Sequence, residues 1–346
     1  MGLDVKEKNL LKFLTSFILP TTMSAYFVYK TFFPNNPLGF FGLISVSKFL
    51  FTTTLRPLYQ KLTRVPKDVR KYGKWAIVTG STSGIGERFC HRLAEKNMSI
   101  LLISRTMSKL EAVAKDITTA NPSVQTQCMA YDFGTADAKV TEKFYVDLSK
   151  VLDKLAVDGG IGMLVNNVGL SNDLPELVHL IPKDEVEQML RVNNAGTVRM
   201  SQAVLPYMMT KRSGSVITVS SASCTHPTPL LSMYSATKAF GQQLTRSMYY
   251  EYKEFGIDCI AITPYYFVSN MFKRSRATYL APFPDSIIDA TWNVLGYEAE
   301  AHPYWCHWLM GVLAKNYHDT GNGLLGIMKQ SKARALAKGA AKAKKS

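Results

Sequence analysis

The segment that most restricts the fold begins at Trp75. The apolar run Trp75-Ala76-Ile77-Val78-Thr79 ends in Gly80-Ser81-Thr82-Ser83-Gly84-Ile85-Gly86, and the stretch from Glu87 to Ala94 has helical character. A strand, a glycine turn and a helix in that order bring the unpaired N–H groups and positive dipole end of the helix close to whatever approaches the turn. The pyrophosphate of a dinucleotide fits such a place, with Gly80, Ser81, Ser83, Gly84, Ile85 and Gly86 as candidate contacts. A second strand, Ser99 to Ile103, follows and ends in Ser104-Arg105, where an NAD-binding chain usually carries an acid for the ribose 2′-hydroxyl. A guanidinium at Arg105 pairs with a 2′-phosphate and a carboxylate would repel it, so the expected cofactor is NADPH.

Further apolar runs alternate with helical stretches: Gln125 to Tyr131, Gly162 to Val165, Ser215 to Val219 and Asp258 to Ile262. The alternation predicts an α/β chain with a Rossmann-type, doubly wound parallel sheet. Polar groups collect where the strands end, at Asp132, Asn166, Ser220-Ser221 and Pro264, and ligands of open α/β sheets bind outside the carboxyl ends of strands. Asp132 and Asn166 therefore join the candidate cofactor contacts.

Charge divides the chain unevenly. The net charge is +15 over 346 residues, but residues 1 to 75 hold 12 Lys+Arg against 3 Asp+Glu, residues 331 to 346 hold 6 against none, and the middle holds 23 of each. A neutral middle lacks the basic face expected of a nucleic-acid enzyme. Near the N-terminus, Phe13 to Phe33 contains only Lys30 as a charge and Leu38 to Leu55 only Lys48, with Pro34-Asn35-Asn36-Pro37 between them and lysines and arginines on both outer flanks. The pattern predicts N-terminal membrane helices with both flanks in the cytosol, as a two-pass hairpin or as one span with an interfacial helix; burial in a soluble fold is the third possibility. The end Lys342-Ala343-Lys344-Lys345-Ser346 resembles a dilysine retrieval signal, which implies an endoplasmic reticulum membrane protein with its catalytic domain facing the cytosol. A solvated basic tail is the alternative. The expected organisation is a membrane anchor and linker over residues 1–71, a catalytic domain over 72–330 and a basic tail over 331–346. Five scattered cysteines with no paired spacing are read as reduced thiols.

In Tyr234-Ser235-Ala236-Thr237-Lys238 a phenol and an ammonium stand four residues apart, on one face of a helix. A free phenol near pKa 10 exchanges protons poorly at neutral pH, and a neighbouring cation stabilises the phenolate. Together with the glycine turn, Asn166-Asn167-Val168-Gly169 and Ser221 thirteen residues before Tyr234, this pair resembles the short-chain dehydrogenase/reductase family. The resemblance implies that Tyr234 is the general acid/base, that Lys238 lowers its pKa and binds the nicotinamide ribose, and that Ser221 hydrogen-bonds the substrate carbonyl. It also implies that Asn193, or its neighbour Asn194, anchors a proton relay, and that Ser269 contacts the nicotinamide amide. Val168, where Ala is commoner, and Cys224-Thr225-His226, where a glycine turn is usual, depart from the family pattern. His226 has no partner at metal-ligand spacing, so no metal site is expected.

Ile103-Ser104-Arg105-Thr106, Ser220 to Ser223, Pro229-Leu230-Leu231 and Pro264-Tyr265-Tyr266 look like the very-long-chain 3-oxoacyl-CoA reductase and 17-beta-hydroxysteroid dehydrogenase branch. That resemblance implies NADPH-dependent reduction of a long-chain 3-oxoacyl-CoA in fatty-acid elongation, with other elongation enzymes as partners. Oxidation or reduction of a steroid or similar lipid alcohol is the alternative, and a lipid-binding scaffold without catalysis the third reading. Lys273, Arg274 and Arg276 lie in the stretch that forms the substrate loop of such reductases. They are candidates for the phosphates of coenzyme A, against the plainer reading of solvated loop charges.

Overall fold

The computed structural model describes residues 63–268, 276–316 and 320–343, with a few scattered residues before position 63. The chain divides into two units, Met1–Arg64 and Val65–Ser346. In the second, β1 (Trp75–Thr79), α1 (Gly84–Ala94), β2 (Ser99–Ser104), α2 (Met107–Ala120), β3 (Thr126–Ala130), α3 (Ala138–Val157) and β4 (Ile161–Asn166) come first. After them come α4 (Lys183–Leu190), α5 (Gly196–Lys211), β5 (Gly214–Val219), α6 (Ser232–Tyr252) and β6 (Ile257–Ile262). The chain then runs through α7 (Pro284–Thr291), β7 (Glu300–Ala301), α8 (Trp305–Asn316) and α9 (Thr320–Ala343). The strands form one parallel sheet in the order β3-β2-β1-β4-β5-β6-β7. The order reverses between β1 and β4, and the cleft of such a sheet opens at that point.

Helices cover both faces, so the central strands read as unbroken apolar runs. Alternate residues of β1 serve opposite faces. Ala76 and Val78 join Phe89 and Leu93 of α1, whereas Trp75 and Ile77 join Phe144 and Leu148 of α3. Helix α7 packs on α1 through two ion pairs one turn apart, Arg88 with Asp285 at 2.7 Å and Arg92 with Asp289.

The expected linker is part of this unit. A 3-10 turn, Val69–Tyr72, leads into β1, and Val69 and Tyr72 are buried. The Tyr72 hydroxyl donates a very short bond to Asp258 at the start of β6, whose carboxylate also meets Lys67 at 3.2 Å. Burial and the facing carboxylate push the Tyr72 phenol well above its ordinary range. Replacing Asp258 with alanine strands a buried hydroxyl, so urea unfolding should show a loss of about 2 kcal/mol, with Asp258→Asn recovering most of it. The two units meet at Arg64/Val65, and α9 extends from Thr320 to Ala343.

The expectation of N-terminal membrane helices is corrected. Among the described residues no helix is long and apolar enough to cross a membrane. The three longest, α3, α6 and α9, all carry charges along their length; even α6, with the fewest, has Lys238, Arg246 and Glu251. The apolar runs Phe13 to Phe33 and Leu38 to Leu55 lie almost wholly outside the described residues, as do Lys344, Lys345 and Ser346. Placement in the endoplasmic reticulum membrane, a membrane partner and association with elongation enzymes rested on those segments and on resemblance, and are withdrawn with them.

Candidate active site

The glycine turn closes on itself through two side chains. Thr79 Oγ1 accepts hydrogen bonds from the backbone N–H groups of Asn167 and Val168 at 3.0 and 3.1 Å. Asn167 Nδ2 in turn donates to the carbonyls of Thr79 and Gly80 at 2.9 and 3.2 Å. The end of β4 is thereby tied to the end of β1, across the point where the sheet order reverses. Gly80 and Gly84 take φ of +64° and +60°, in the left-handed region that favours glycine. A Cβ at Gly84 would meet nothing within 4 Å, whereas one at Gly86 would overlap the Asn167 amide and the Gly80 carbonyl. Gly84 thus faces open space and Gly86 allows close packing below it.

A cleft of about 340 Å³ lies above this turn, lined by Gly80, Thr82, Ser83, Gly84 and Ile85 from the turn, Ser104, Arg105, Thr106 and Lys109 beyond β2, and Asp132 and Phe133 beyond β3. Asn167, Val168, Gly169 and Leu170 beyond β4, with Phe267, close its other end. Arg105 and Lys109 are exposed, and neither forms an ion pair among the described residues. Asp132 has a local duty, accepting from the Gly134 N–H at 2.9 Å. Three expected contacts sit below the cleft. Ser81 is buried and donates to the Ile103 carbonyl, Gly86 serves packing, and Asn166 points inward to Ser201 Oγ at 3.0 Å. Asn167, Thr82 and Lys109 are the neighbours that reach the cleft instead. The two adjacent asparagines on a strand point to opposite sides, and nothing in their identity tells which faces the ligand.

A dinucleotide fits this cleft. The open side of Gly84, the start of α1 and the two free cations beyond β2 match a pyrophosphate and a 2′-phosphate in chemistry and order.

The catalytic candidates meet at the end of β5. Ser221 caps a 3-10 turn, Ala222–Cys224, its Oγ accepting from the Ser223 N–H at 3.2 Å. That bond occupies an acceptor of the hydroxyl and leaves its proton for another oxygen. Tyr234, buried on α6, lies close enough to Ser221 for that side chain to act on its pKa. Lys238, one turn later, lies with Nζ 5.9 Å from the centre of the Tyr234 ring and donates to the Val219 carbonyl at 2.9 Å. Its own carbonyl accepts from Ser220 Oγ at 2.7 Å, so α6 and the end of β5 hold each other in register. A Cβ on Gly169 would stand 2.9 Å from that ammonium, which puts Lys238 immediately behind the cleft wall.

Asn193 ties these pieces together. It sits in a π-helical turn, Arg191–Ala195, a local widening that redirects a side chain from the helix ladder. Its Oδ1 accepts from the Leu170 N–H at 2.7 Å, and its Nδ2 donates to the Leu170 carbonyl at 2.9 Å and to Thr237 Oγ1 at 2.8 Å. The amide joins the cleft wall to the catalytic helix; Asn194 Oδ1, though buried, has no hydrogen-bond partner among the described residues.

Burial dominates the electrostatics, and it acts on the two groups in opposite directions. It drives the Tyr234 phenol up to about 12, the Ser221 side chain partly opposing it, and pulls the Lys238 ammonium down to about 8. Burial is the largest influence on the phenol, and Tyr234 holds its proton throughout the neutral range. Lys238 is charged below about pH 8 and loses that charge above it. Carbonyl reduction should therefore decline above about pH 8 along a single-proton limb in kcat/KM set by Lys238, with no second limb from Tyr234 below about pH 12. The same group affects stability: its ammonium is disfavoured by burial below about pH 8, and unfolding at rising pH should show that cost fading between about 8 and the ordinary lysine value near 10.5.

Ser269, Lys273 and Arg274 lie outside the described residues, and Arg276 is exposed and is not among the residues lining the cleft. His226 stacks on Tyr265, with ring centres 6.0 Å apart. The five cysteines are unpaired.

The short chain dehydrogenase family model matches residues 74–280. The very-long-chain 3-oxoacyl-CoA reductase of Aspergillus clavatus is 37% identical over 279 residues, covering 78% of each chain. Hydroxysteroid dehydrogenase-like protein 1 of Gallus gallus is 37% identical over 243 residues, covering 69% of this chain and 70% of its own. Among solved structures, a 7beta-hydroxysteroid dehydrogenase superposes with a TM-score of 0.64 at 20% identity, covering 76% of this chain and all of that one.

Proposed function

The chain belongs to the short-chain dehydrogenase family, and from that premise we propose that it reduces very-long-chain 3-oxoacyl-CoA to the 3-hydroxyacyl-CoA with NADPH. The observation that carries the reading is the linked set of Ser221, Tyr234 and Lys238 behind a glycine cradle, in a chain similar to such reductases over more than three quarters of both lengths. The protein is an oxidoreductase and its cofactor is NADPH.

Bound NADPH supplies the hydride. Gly80 and residues Thr82 to Ile85 would hold its pyrophosphate, Arg105 and Lys109 its 2′-phosphate, and Lys238 its nicotinamide ribose. Ser221 donates a hydrogen bond to the C3 carbonyl oxygen and polarises it, its other side fixed by the Ser223 N–H. Tyr234 donates its proton to the same oxygen as negative charge develops there, and its high pKa keeps that proton available at neutral pH. The charged form of Lys238 stabilises the phenolate left behind. Asn193 holds Leu170 and Thr237 in place and gives the proton a polar surround for its replacement.

The similarity to the chicken hydroxysteroid dehydrogenase-like protein favours a second reading, oxidation or reduction of a steroid. Loss of NADPH absorbance with the purified protein, compared between a long-chain 3-oxoacyl-CoA and a 17-ketosteroid, separates the two. Turnover of the acyl-CoA is expected; turnover of the ketosteroid alone selects the second reading, and turnover of neither overturns both.

A further inference from the structure

Beyond the residues that touch cofactor or carbonyl, α8 contributes a buried imidazole that crosses to the other wall of the site. His307 has no exposed surface. Its Nδ1 accepts from the Tyr265 N–H at 3.3 Å, and its Nε2 faces the carbonyls of Tyr266 at 3.1 Å and Leu280 at 3.4 Å. Only the neutral tautomer with its proton on Nε2 serves all three, accepting at one nitrogen and donating at the other. Burial agrees, holding the imidazole near 4, well below the usual histidine value.

Position gives these bonds their consequence. Tyr265 and Tyr266 follow Pro264 beyond β6, and Leu280 lies on the returning strand of chain, where Val268 N–H donates to the Pro282 carbonyl at 3.0 Å. One side chain therefore ties the chain that leaves β6 to the chain at Leu280. What it fastens faces the chemistry: Phe267 lines the cleft, and Tyr266 stands close enough to Tyr234 to act on its pKa.

We infer that His307 is a positioning residue for the reductase, its neutral imidazole clamping the Tyr265–Tyr266 backbone to Leu280 and so fixing the wall against which the carbonyl substrate is presented to Tyr234. The inference rests on the reductase reading for its kinetic consequence, while the clamp itself is open to test without any substrate. His307→Phe keeps the ring and loses every bond; His307→Gln keeps one acceptor and one donor.

Hydrogen exchange read by mass spectrometry should show the Tyr265 amide and its neighbours exchanging at least about tenfold faster in His307→Phe than in the native protein, with His307→Gln restoring most of the protection. In the same proteins, kcat/KM for the 3-oxoacyl-CoA should fall about thirtyfold in His307→Phe, chiefly through KM, and recover to within about fivefold in His307→Gln. Unchanged exchange at Tyr265 in a folded His307→Phe overturns the clamp. Faster exchange with native kcat/KM overturns its positioning role, as does a failure of His307→Gln to recover either quantity while unfolding at the native temperature. Should His307→Phe not fold, His307→Gln and His307→Asn carry both measurements, and full loss of protection and activity in both despite a native melting temperature counts against the inference. A native protein inactive on the acyl-CoA overturns the proposed function instead, and exchange then decides the clamp alone.

Discussion

Replacing Tyr234 with phenylalanine is expected to lower kcat for acyl-CoA reduction by about a thousandfold, the range ascribed to a positioned proton donor, while NADPH binding stays within about twofold. The change is nearly isosteric. The ring remains, so the buried position keeps its volume and α6 its register, and Lys238 keeps its bond to Val219. What disappears is the proton that the carbonyl oxygen needs as hydride arrives, together with the hydroxyl that faces Ser221. Ser221 is only half-buried, so water can satisfy it and the fold should stand. NADPH consumption at saturating substrate reads the chemistry, and quenching of tryptophan fluorescence by NADPH reads the binding. A variant that retains more than a tenth of native kcat would show that another group delivers the proton, and the assignment of Tyr234 would fail. Ser221→Ala should cost less, since it removes one hydrogen bond to the developing charge and leaves the proton donor in place.

How far the sequence reveals this site depends on whether a residue acts through its backbone pattern or through the direction of its side chain. The parallel sheet was legible because buried strands must be apolar throughout, and each run from Trp75–Thr79 to Asp258–Ile262 lies within a residue or two of its strand. Only β7, two residues long, was too short to carry a pattern. The spacing of Tyr234 and Lys238 was legible for the same reason, since a helix turns four residues into one face. Orientation was not. Asn166 and Asn167 are chemically the same, yet one bonds Ser201 inside the protein and the other braces the glycine turn. Likewise the π turn that aims Asn193 at Leu170 and Thr237 has no signature in the residue types of Arg191 to Ala195. The membrane reading failed at a different point. Charge flanking apolar sequence describes how a segment would partition if it formed a spanning helix; it does not show that one forms, and no described helix meets the requirement. The upward direction of the Tyr234 shift follows from its burial on α6, which the spacing of Tyr234 and Lys238 does not reveal.

Exchanging Arg105 for glutamate should reverse the preference between the two nicotinamide cofactors. Arg105 lies just past the end of β2, exposed at the edge of the cleft, with Thr106 and Lys109 beside it and no carboxylate at the strand end. A guanidinium there can make two charge-assisted bonds to a 2′-phosphate, each worth about 1.5–3 kcal/mol, which together amount to a discrimination of about a hundredfold or more. Glutamate removes those bonds, adds repulsion toward the phosphate, and offers an acceptor to the 2′-hydroxyl of NADH. The expected result is a fall of about 10² to 10³ in kcat/KM for NADPH with that for NADH unchanged or raised. Lys109→Ala should have a smaller effect of the same kind, about tenfold, because a lysine meets the phosphate as a point charge without the paired geometry. Steady-state kinetics with each cofactor at saturating acyl-CoA gives all four constants. Equal losses for NADPH and NADH would mean that Arg105 shapes the cleft and does not recognise the phosphate. The match of this edge to NADPH would then have to rest on Lys109, whose single ammonium is too weakly directional to exclude NADH.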